Sequence, residues 1–270
     1  MAAVAPPEIG LPGARLPPPS TGQRGFAESW PRRVVGYALT PALLAVALAA
    51  LYVYVANHAL DEVEHRSLNS EYISTRVVQH LELTVAVTAL VILIAVPAGI
   101  LLTRPLTRRV APLLVGLANI GQAVPSIGVL VLLALVIGIG PVIAVAAFVL
   151  YAILPVLRNT MVGLQQVAPA VIEAGRGMGM SKTRVLAQIE LPLAVPVVLA
   201  GVRTALVISV GTVALATFVN AGGLGDIINN GITTNRTVVT VTGSVLTAVL
   251  ALLVDWLAGI AEDLLRPRGL

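Results

Sequence analysis

The segment EAGRGMGMSKTRVLAQIELP, residues 173–192, lies between two stretches that are apolar enough to reside in lipid. Its spacing is Glu-Ala-small, three residues, Gly, nine residues, Ile, one residue, Leu-Pro. The positions concerned are Glu173, Ala174, Gly175, Gly179, Ile189, Leu191 and Pro192. The alternative interpretation is a charged hairpin in which glycine and proline only end and begin helices. A plain connection needs no such spacing, so the segment predicts a folded element with its own role.

The composition is that of an integral membrane protein. Hydrophobic residues make up 57% of the 270 positions and charged residues 11%, whereas soluble domains carry about 25% charged residues. Several apolar runs exceed the roughly 18 residues that cross a bilayer, which excludes a soluble helical bundle. Because segments in lipid must satisfy their own backbone hydrogen bonds, we predict an all-α polytopic membrane protein.

The apolar stretches predict about six transmembrane helices. The stretch 112–157 is too long for one helix, and the sequence Gly-Ile-Gly-Pro at 138–141 predicts a turn that divides it. Residues 1–33 are rich in proline and glycine and predict a disordered N-terminus. A membrane domain follows over 34–265, and 266–270 form a short tail. The predicted spans are 34–56, 81–102, 112–137, 141–157, 193–219 and 238–260, with the charged loop at 160–192.

The basic residues predict the orientation of the chain, because Lys and Arg collect on the cytoplasmic side of a membrane. With the N-terminus inside, thirteen basic residues lie in cytoplasmic segments and three (Arg66, Arg76 and Arg236) in external ones. The basic pI of about 10.0 therefore reflects topology, and we expect no nucleic-acid partner. The thirteen are Arg15, Arg24, Arg32, Arg33, Arg104, Arg108, Arg109, Arg158, Arg176, Lys182, Arg184, Arg266 and Arg268.

Within the charged loop we predict two helices, over 162–175 and 181–190, with a sharp turn at Gly177 and Gly179. Ser181 is the expected N-cap of the second helix. A phosphate-binding loop is excluded, because Arg176 and Ser181 stand where that pattern requires glycine. The chain is therefore not expected to bind ATP.

The loop resembles the cytoplasmic "EAA" loop of permease subunits of type I ABC importers. The resemblance implies that Glu173, Ala174, Gly175 and Gly179 dock on a separate ABC ATPase, and that Ile189, Leu191 and Pro192 pass the chain into the next span. It also implies a second permease copy or paralogue, an extracytoplasmic substrate-binding protein, and a multi-pass location in a bacterial plasma membrane. Gly175 departs from the usual alanine and weakens a helix by roughly 1 kcal/mol.

Further motifs resemble the glycine betaine, choline and carnitine branch of these permeases. They lie at residues 80–84, 121–126, 201–205, 220–226 and 265–270. The resemblance begins near residue 75, which leaves open whether the first span is an addition to a five-span core. Methionine-type permeases carry similar glycine-rich loops, so an amino acid remains an alternative substrate.

Four polar positions and one basic position in the predicted spans or at their ends are candidates for function. Arg203 lies 11 residues past Pro192, roughly 16 Å into the membrane, and Asp255 enters from the same side. We predict an ion pair between them, with a substrate contact as the alternative. Gln122, Ser126 and Asn220 are candidates for the translocation pathway, and helix packing is the competing interpretation.

Two other classes of protein fit the sequence less well. A passive channel or secondary transporter predicts matching halves, which are not found, and it leaves the charged loop unexplained. An enzyme is disfavoured because His58, His65 and His80, in the predicted external loop, lack metal-ligand spacing. We predict a non-catalytic chain without cofactor or metal.

Overall fold

The computed structural model describes residues 30–265, which contain helices and no strand. The chain divides into two units between Ala38 and Leu39. In the first unit, the described part is the start of α1. All contacts and cavities described below lie within the second unit. The predicted disordered segment lies outside the described residues except for 30–33. Those four are helical, since a proline at position 31 is tolerated in the first turn of a helix.

Eleven α-helices are described, with one π-helical and one 3₁₀ segment. They are α1 (Trp30–Ala56), α2 (Glu62–Ser67), α3 (Ser70–Leu102), α4 (Ala111–Ala123), α5 (Ser126–Ile137), α6 (Pro141–Gln165), α7 (Pro169–Gly177), α8 (Lys182–Val185), the π segment (Leu186–Glu190), α9 (Leu191–Val213), the 3₁₀ segment (Ala214–Val219), α10 (Gly225–Thr233) and α11 (Thr237–Leu265).

Helix α3 begins well before the predicted span 81–102. Asn69 caps it, accepting a hydrogen bond from the backbone N–H of Tyr72 at 2.7 Å. At 1.5 Å per residue its 33 residues extend about 50 Å, more than the hydrocarbon core of a bilayer. His80, predicted to lie in a loop, is therefore inside this helix.

The predicted third span, 112–137, is wrong as a single helix. It consists of α4 and α5, which meet at an angle of 96°. The break falls at Val124 and Pro125, where Val124 has an extended backbone with ψ 134°. A proline has no N–H to donate and disfavours the helical conformation of the residue before it. Neither half, at 13 and 12 residues, is long enough to cross a bilayer.

The core lies among α3, α6 and α9. Its fully buried side chains include Val87 and Val91 from α3, Phe148 and Val156 from α6, and Val213 from α9. Small residues allow these helices to approach closely, as is usual in membranes. A Cβ atom on Gly201 of α9 would stand 2.9 Å from the backbone oxygen of Pro155 in α6, so only glycine fits that crossing.

Five of the described helices are long and apolar enough to cross a membrane, and the bent pair of α4 and α5 makes a sixth if it counts as one span. The predicted fold class, an all-α polytopic membrane protein with about six spans, is confirmed. One of the five runs without interruption from Lys182 to Val219, well before the predicted start of the fifth span at residue 193. The charged loop is thus continuous with a membrane helix.

Candidate functional site

The charged loop folds as two short helices packed against each other. The predicted helix over 162–175 is wrong in one respect, because α6 ends at Gln165 and α7 starts afresh at Pro169. Ala168 is extended, with ψ 128°, as expected for a residue before proline. On α7, Glu173 and Ala174 are exposed, whereas Gly175 is buried.

Gly175 is buried because α7 packs there against the π-helical segment. A Cβ atom at this position would lie 2.6 Å from Cδ1 of Ile189, and 3.4 Å from the sulfur of Met180. The departure from alanine therefore has a structural reason: the side chain of Ile189 occupies the space. Gly175 and Ile189 are both positions of the loop motif and lie 14 residues apart in sequence. They pack together because Gly175 has no side chain.

The turn between α7 and α8 requires glycine at position 179. Gly179 has φ +85°, a backbone conformation that costs an L-residue with a side chain about 1–2 kcal/mol. Ser181 then caps α8, its hydroxyl accepting from the backbone N–H of Arg184 at 3.3 Å. The second helix continues through the π segment into α9, with Leu191 and Pro192 in the first turn of α9.

An ion pair that the sequence did not predict ties the end of the loop to α3. Arg104, two residues past the end of α3, donates to both carboxylate oxygens of Glu190, at 2.6 and 3.3 Å. The Glu190 side chain is only 7% exposed. A bidentate pair of this kind fixes the relative orientation of the two groups. The loop motif skips position 190, and Arg104 is 86 residues away, so no local pattern pointed to the pair.

A second ion pair lies further along α9. Arg203 donates through Nε and Nη2 to the two oxygens of Asp255 in α11, at 2.6 and 2.8 Å. Glu262, two helical turns further along α11, stands 3.6 Å from the same guanidinium. The structure thus brings together the two residues that the sequence suggested as partners, and adds a third that it missed.

The three candidate pathway residues do not converge. The amide of Gln122 donates to the backbone oxygen of Tyr151 at 2.9 Å, which is a contact between α4 and α6. Ser126 is the first residue of α5. Asn220 is exposed and ends the 3₁₀ segment in the left-handed conformation, with φ 55°.

A cavity of about 910 Å³ lies instead between α3, α5 and α6. Its lining is mostly aliphatic, and one face of α3 supplies its polar atoms, at Gln79 and Glu82. The contributions from α3 are Gln79, Glu82, Leu83, Ala86, Leu90 and Ile94. The sequence reasoning assigned no role to Gln79 and Glu82. A signal for this pair is present in the sequence. Glu82 lies about one helical turn after Gln79, at the start of an apolar run.

The glycine-rich loop over 220–226 is anchored to α3 beside this cavity. His80 is fully buried, and its two ring nitrogens contact the backbone oxygen of Val210 at 2.9 Å and the N–H of Leu224 at 3.3 Å. Arg76 forms an ion pair with Asp226 at 2.7 Å. Ala221, in the middle of this loop, lines the cavity.

Comparison with known proteins identifies relatives over most of the chain. The family model for the inner membrane component of binding-protein-dependent transport systems matches residues 95–267. The carnitine transport permease protein OpuCD of Listeria monocytogenes is 39% identical over 206 residues, which is 76% of this chain and 92% of that protein. The glycine betaine/carnitine/choline permease protein OpuCD of Bacillus subtilis is 39% identical, covering 74% and 87%. The osmoprotectant import permease protein OsmW of Salmonella typhimurium is 36% identical, covering 78% and 100%.

Among solved structures, a chain of the MetNI methionine ABC transporter, in an inward-facing conformation, has a TM-score of 0.64 and 25% sequence identity. The match covers 77% of this chain and all of that one. The fold is therefore that of the membrane domain of a type I ABC importer, and the resemblance seen in the sequence motifs is confirmed. The family match begins at residue 95, near the end of α3, so α1, α2 and most of α3 lie outside it. The chain belongs to the family of inner membrane components of binding-protein-dependent transport systems.

Proposed function

We propose that this chain is the permease subunit of an ATP-driven importer for osmoprotectants such as glycine betaine, choline or carnitine. The support for the substrate class is the similarity to relatives whose names carry these three solutes. The support for the mode of action is the loop 160–192 with its continuous connection to α9.

The single observation that carries the coupling role is the construction of this loop. Glu173 and Ala174 are exposed on α7, and α7 is packed through Gly175 onto a segment that continues into a membrane helix. An ATPase that grips the exposed face of α7 would move α9 with it. Ile189 supplies the contact within the loop, and Leu191 and Pro192 form the start of the moving helix.

The proposal includes the partners and the orientation. ATP is hydrolysed on a separate ABC ATPase chain, and this chain performs no chemistry. A binding protein on the outer face delivers the solute, and a second permease copy or a paralogue completes the membrane domain. The excess of basic residues in the loop and in the N-terminal segment supports a cytoplasmic N-terminus.

For the pathway, Ser126 and Asn220 remain our candidates among the residues proposed from sequence. Gln122 is the weakest of the three, because its amide already holds α4 to α6. The ion pair of Arg203 and Asp255 is proposed to fix α9 against α11 rather than to contact solute.

The test is uptake by a reconstituted complex. The chain is co-expressed with an ATPase and a binding protein from its own genome and placed in liposomes that contain ATP. We expect uptake of radiolabelled glycine betaine, choline or carnitine that requires ATP and the binding protein. Glu173→Ala should reduce uptake and recovery of the ATPase with the complex, whereas Glu71→Ala, at an exposed site at the start of α3, should change neither. Uptake of methionine alone, or uptake without the ATPase, would overturn the proposal.

A further inference from the structure

Glu82 differs from the acidic residues that the fold pairs with an arginine. Asp226, Glu190 and Asp255 each form an ion pair. Glu82 lies in the apolar part of α3, and with the described residues it forms neither a hydrogen bond nor an ion pair. Glu82 is exposed on the surface of the single chain, but it lies where α3 is apolar enough to cross a membrane. A carboxylate at such a depth is costly unless a cation pairs with it, so one without a partner among the described residues indicates a functional site.

The surroundings of Glu82 are apolar on both sides. It lies at the edge of the cavity of about 910 Å³ described above. It also borders an open apolar surface of the same helix, formed by Val78, Leu81, Val85 and Ala86. Among the described residues, Glu82 is the one ionisable side chain that lines either the cavity or this surface.

The neighbouring side-chain oxygen, that of Gln79, is already occupied. The side-chain oxygen of Gln79 accepts from Arg76 at 2.9 Å and from the N–H of Gly223 at 3.3 Å. A metal ion or a primary ammonium needs several oxygen partners in place of water. The site offers one free carboxylate and aliphatic walls, which leaves the hydrogen-bonding needs of such cations unmet.

We propose that Glu82 and the cavity beside it bind the quaternary ammonium group of the transported solute. A quaternary ammonium has no N–H to donate and spreads its charge over methyl groups. One carboxylate and an apolar wall therefore satisfy both its charge and its surface. This assignment rests on the proposed function and adds to it a binding site within the membrane subunit.

The charge of the site predicts a preference among the three solutes. Choline is a cation, whereas glycine betaine and carnitine also carry a carboxylate. The nearest guanidinium, that of Arg76, is paired with Asp226 and is shared with Gln79. The site therefore favours choline, because the carboxylate of the other two finds no free cation and is repelled by Glu82.

The experiment measures binding of radiolabelled choline and glycine betaine to the purified complex in lipid nanodiscs, without the binding protein. Because a close charge pair out of water is worth at least a factor of ten in affinity, Glu82→Gln should weaken choline binding about tenfold or more. Glycine betaine binding should change less. Glu82→Asp should retain part of the affinity. Ala86→Leu, which narrows the cavity beside Glu82 without changing charge, should weaken binding of both solutes.

The control is Glu71→Gln, an exposed carboxylate at the start of the same helix that lines neither the cavity nor the open apolar surface, and it should bind choline as the wild type does. If Glu82→Gln binds choline with wild-type affinity, the assignment is wrong. It is also wrong if the variant loses docking of the binding protein or of a second permease copy while choline affinity is unchanged. If Glu82→Gln does not assemble, Glu82→Asp and Ala86→Leu decide the question. A wild-type complex that imports none of the three solutes would refute the proposed function itself.

Discussion

Two ion pairs on the continuous helix 182–219, through Glu190 and Arg203, differ in their surroundings and in what they connect. Glu190, the last residue of the π segment, is buried and pairs with Arg104, two residues past the end of α3. Arg203 is 37% exposed and has two acidic partners on α11, Asp255 and Glu262. The first pair has no substitute if one member is lost, whereas the second has a spare carboxylate. The comparison indicates that the loop end of α9 is held by one ion pair that has no alternative partner. The middle of α9 is held by an ion pair for which Glu262 is an alternative partner.

The largest effect is expected from Glu190→Ala, which removes the carboxylate partner of Arg104 and leaves its guanidinium with the hydrogen bond from Nε to the backbone oxygen of Ile100. Breaking a buried pair costs about 3–5 kcal/mol, and because Arg104 is partly exposed we expect the lower end, about 3 kcal/mol. We expect a lower unfolding temperature of the purified complex and a loss of most ATP-dependent uptake. The exchange Arg104→Glu with Glu190→Arg should recover part of both. If Glu190→Ala transports normally, the contact is not indispensable and the comparison fails.

A smaller effect is expected at the second pair, and it should depend on which member is removed. Arg203→Leu leaves two carboxylates without a cation, whereas Asp255→Asn leaves Glu262 as a partner. Because the pair is partly exposed, we expect about 2 kcal/mol for Arg203→Leu and less than half of that for Asp255→Asn. Thermal unfolding measures both. Equal losses in the two variants would show that Glu262 offers no substitute, and full transport by Arg203→Leu would show that the pair is dispensable.

The contact of Gly175 with Ile189 tests whether packing assists the first ion pair, since Ile189 precedes Glu190. Gly175→Ala should cost about 1 kcal/mol, because its Cβ displaces the end of a well-packed side chain. Ile189→Val removes the Cδ1 atom concerned, so the double variant should unfold at a higher temperature than Gly175→Ala alone. If the effects of the two substitutions on stability are additive, the Cβ atom at position 175 and the side chain at position 189 do not compete for the same space.

The smallest effect is expected from Ser181→Ala, which removes the cap of α8. The hydrogen bond is long, at 3.3 Å, and exposed, so we expect about 0.5 kcal/mol. Uptake should remain near the wild-type rate. A large loss of uptake would mean that the start of α8 touches the ATPase, and the loop would then have a second docking surface beside α7.

The sequence predicted the fold class because lipid leaves a chain few alternatives, and it predicted where polar segments interrupt the apolar ones. Pro125 predicts a kink within 112–137, but the 96° break into two short helices was not predicted, because hydropathy does not distinguish a kinked helix from one that ends at the proline. Asp255 could be suggested as the partner of Arg203 from depth alone, since both enter the membrane from one side. Glu190 and Arg104 could not, because their proximity depends on how α3 and α9 are packed.

The uninterrupted helix from Lys182 to Val219 has a mechanical consequence. Its 38 residues amount to about 57 Å, so a tilt of about 5° at the loop displaces the far end by about 5 Å. That end is two residues from Ala221, which lines the cavity beside Glu82. If an ATPase moves the loop as proposed, this continuous helix, which includes a π and a 3₁₀ segment, carries the motion to the cavity. Its length then turns a small rotation into a displacement comparable to the diameter of the proposed solute.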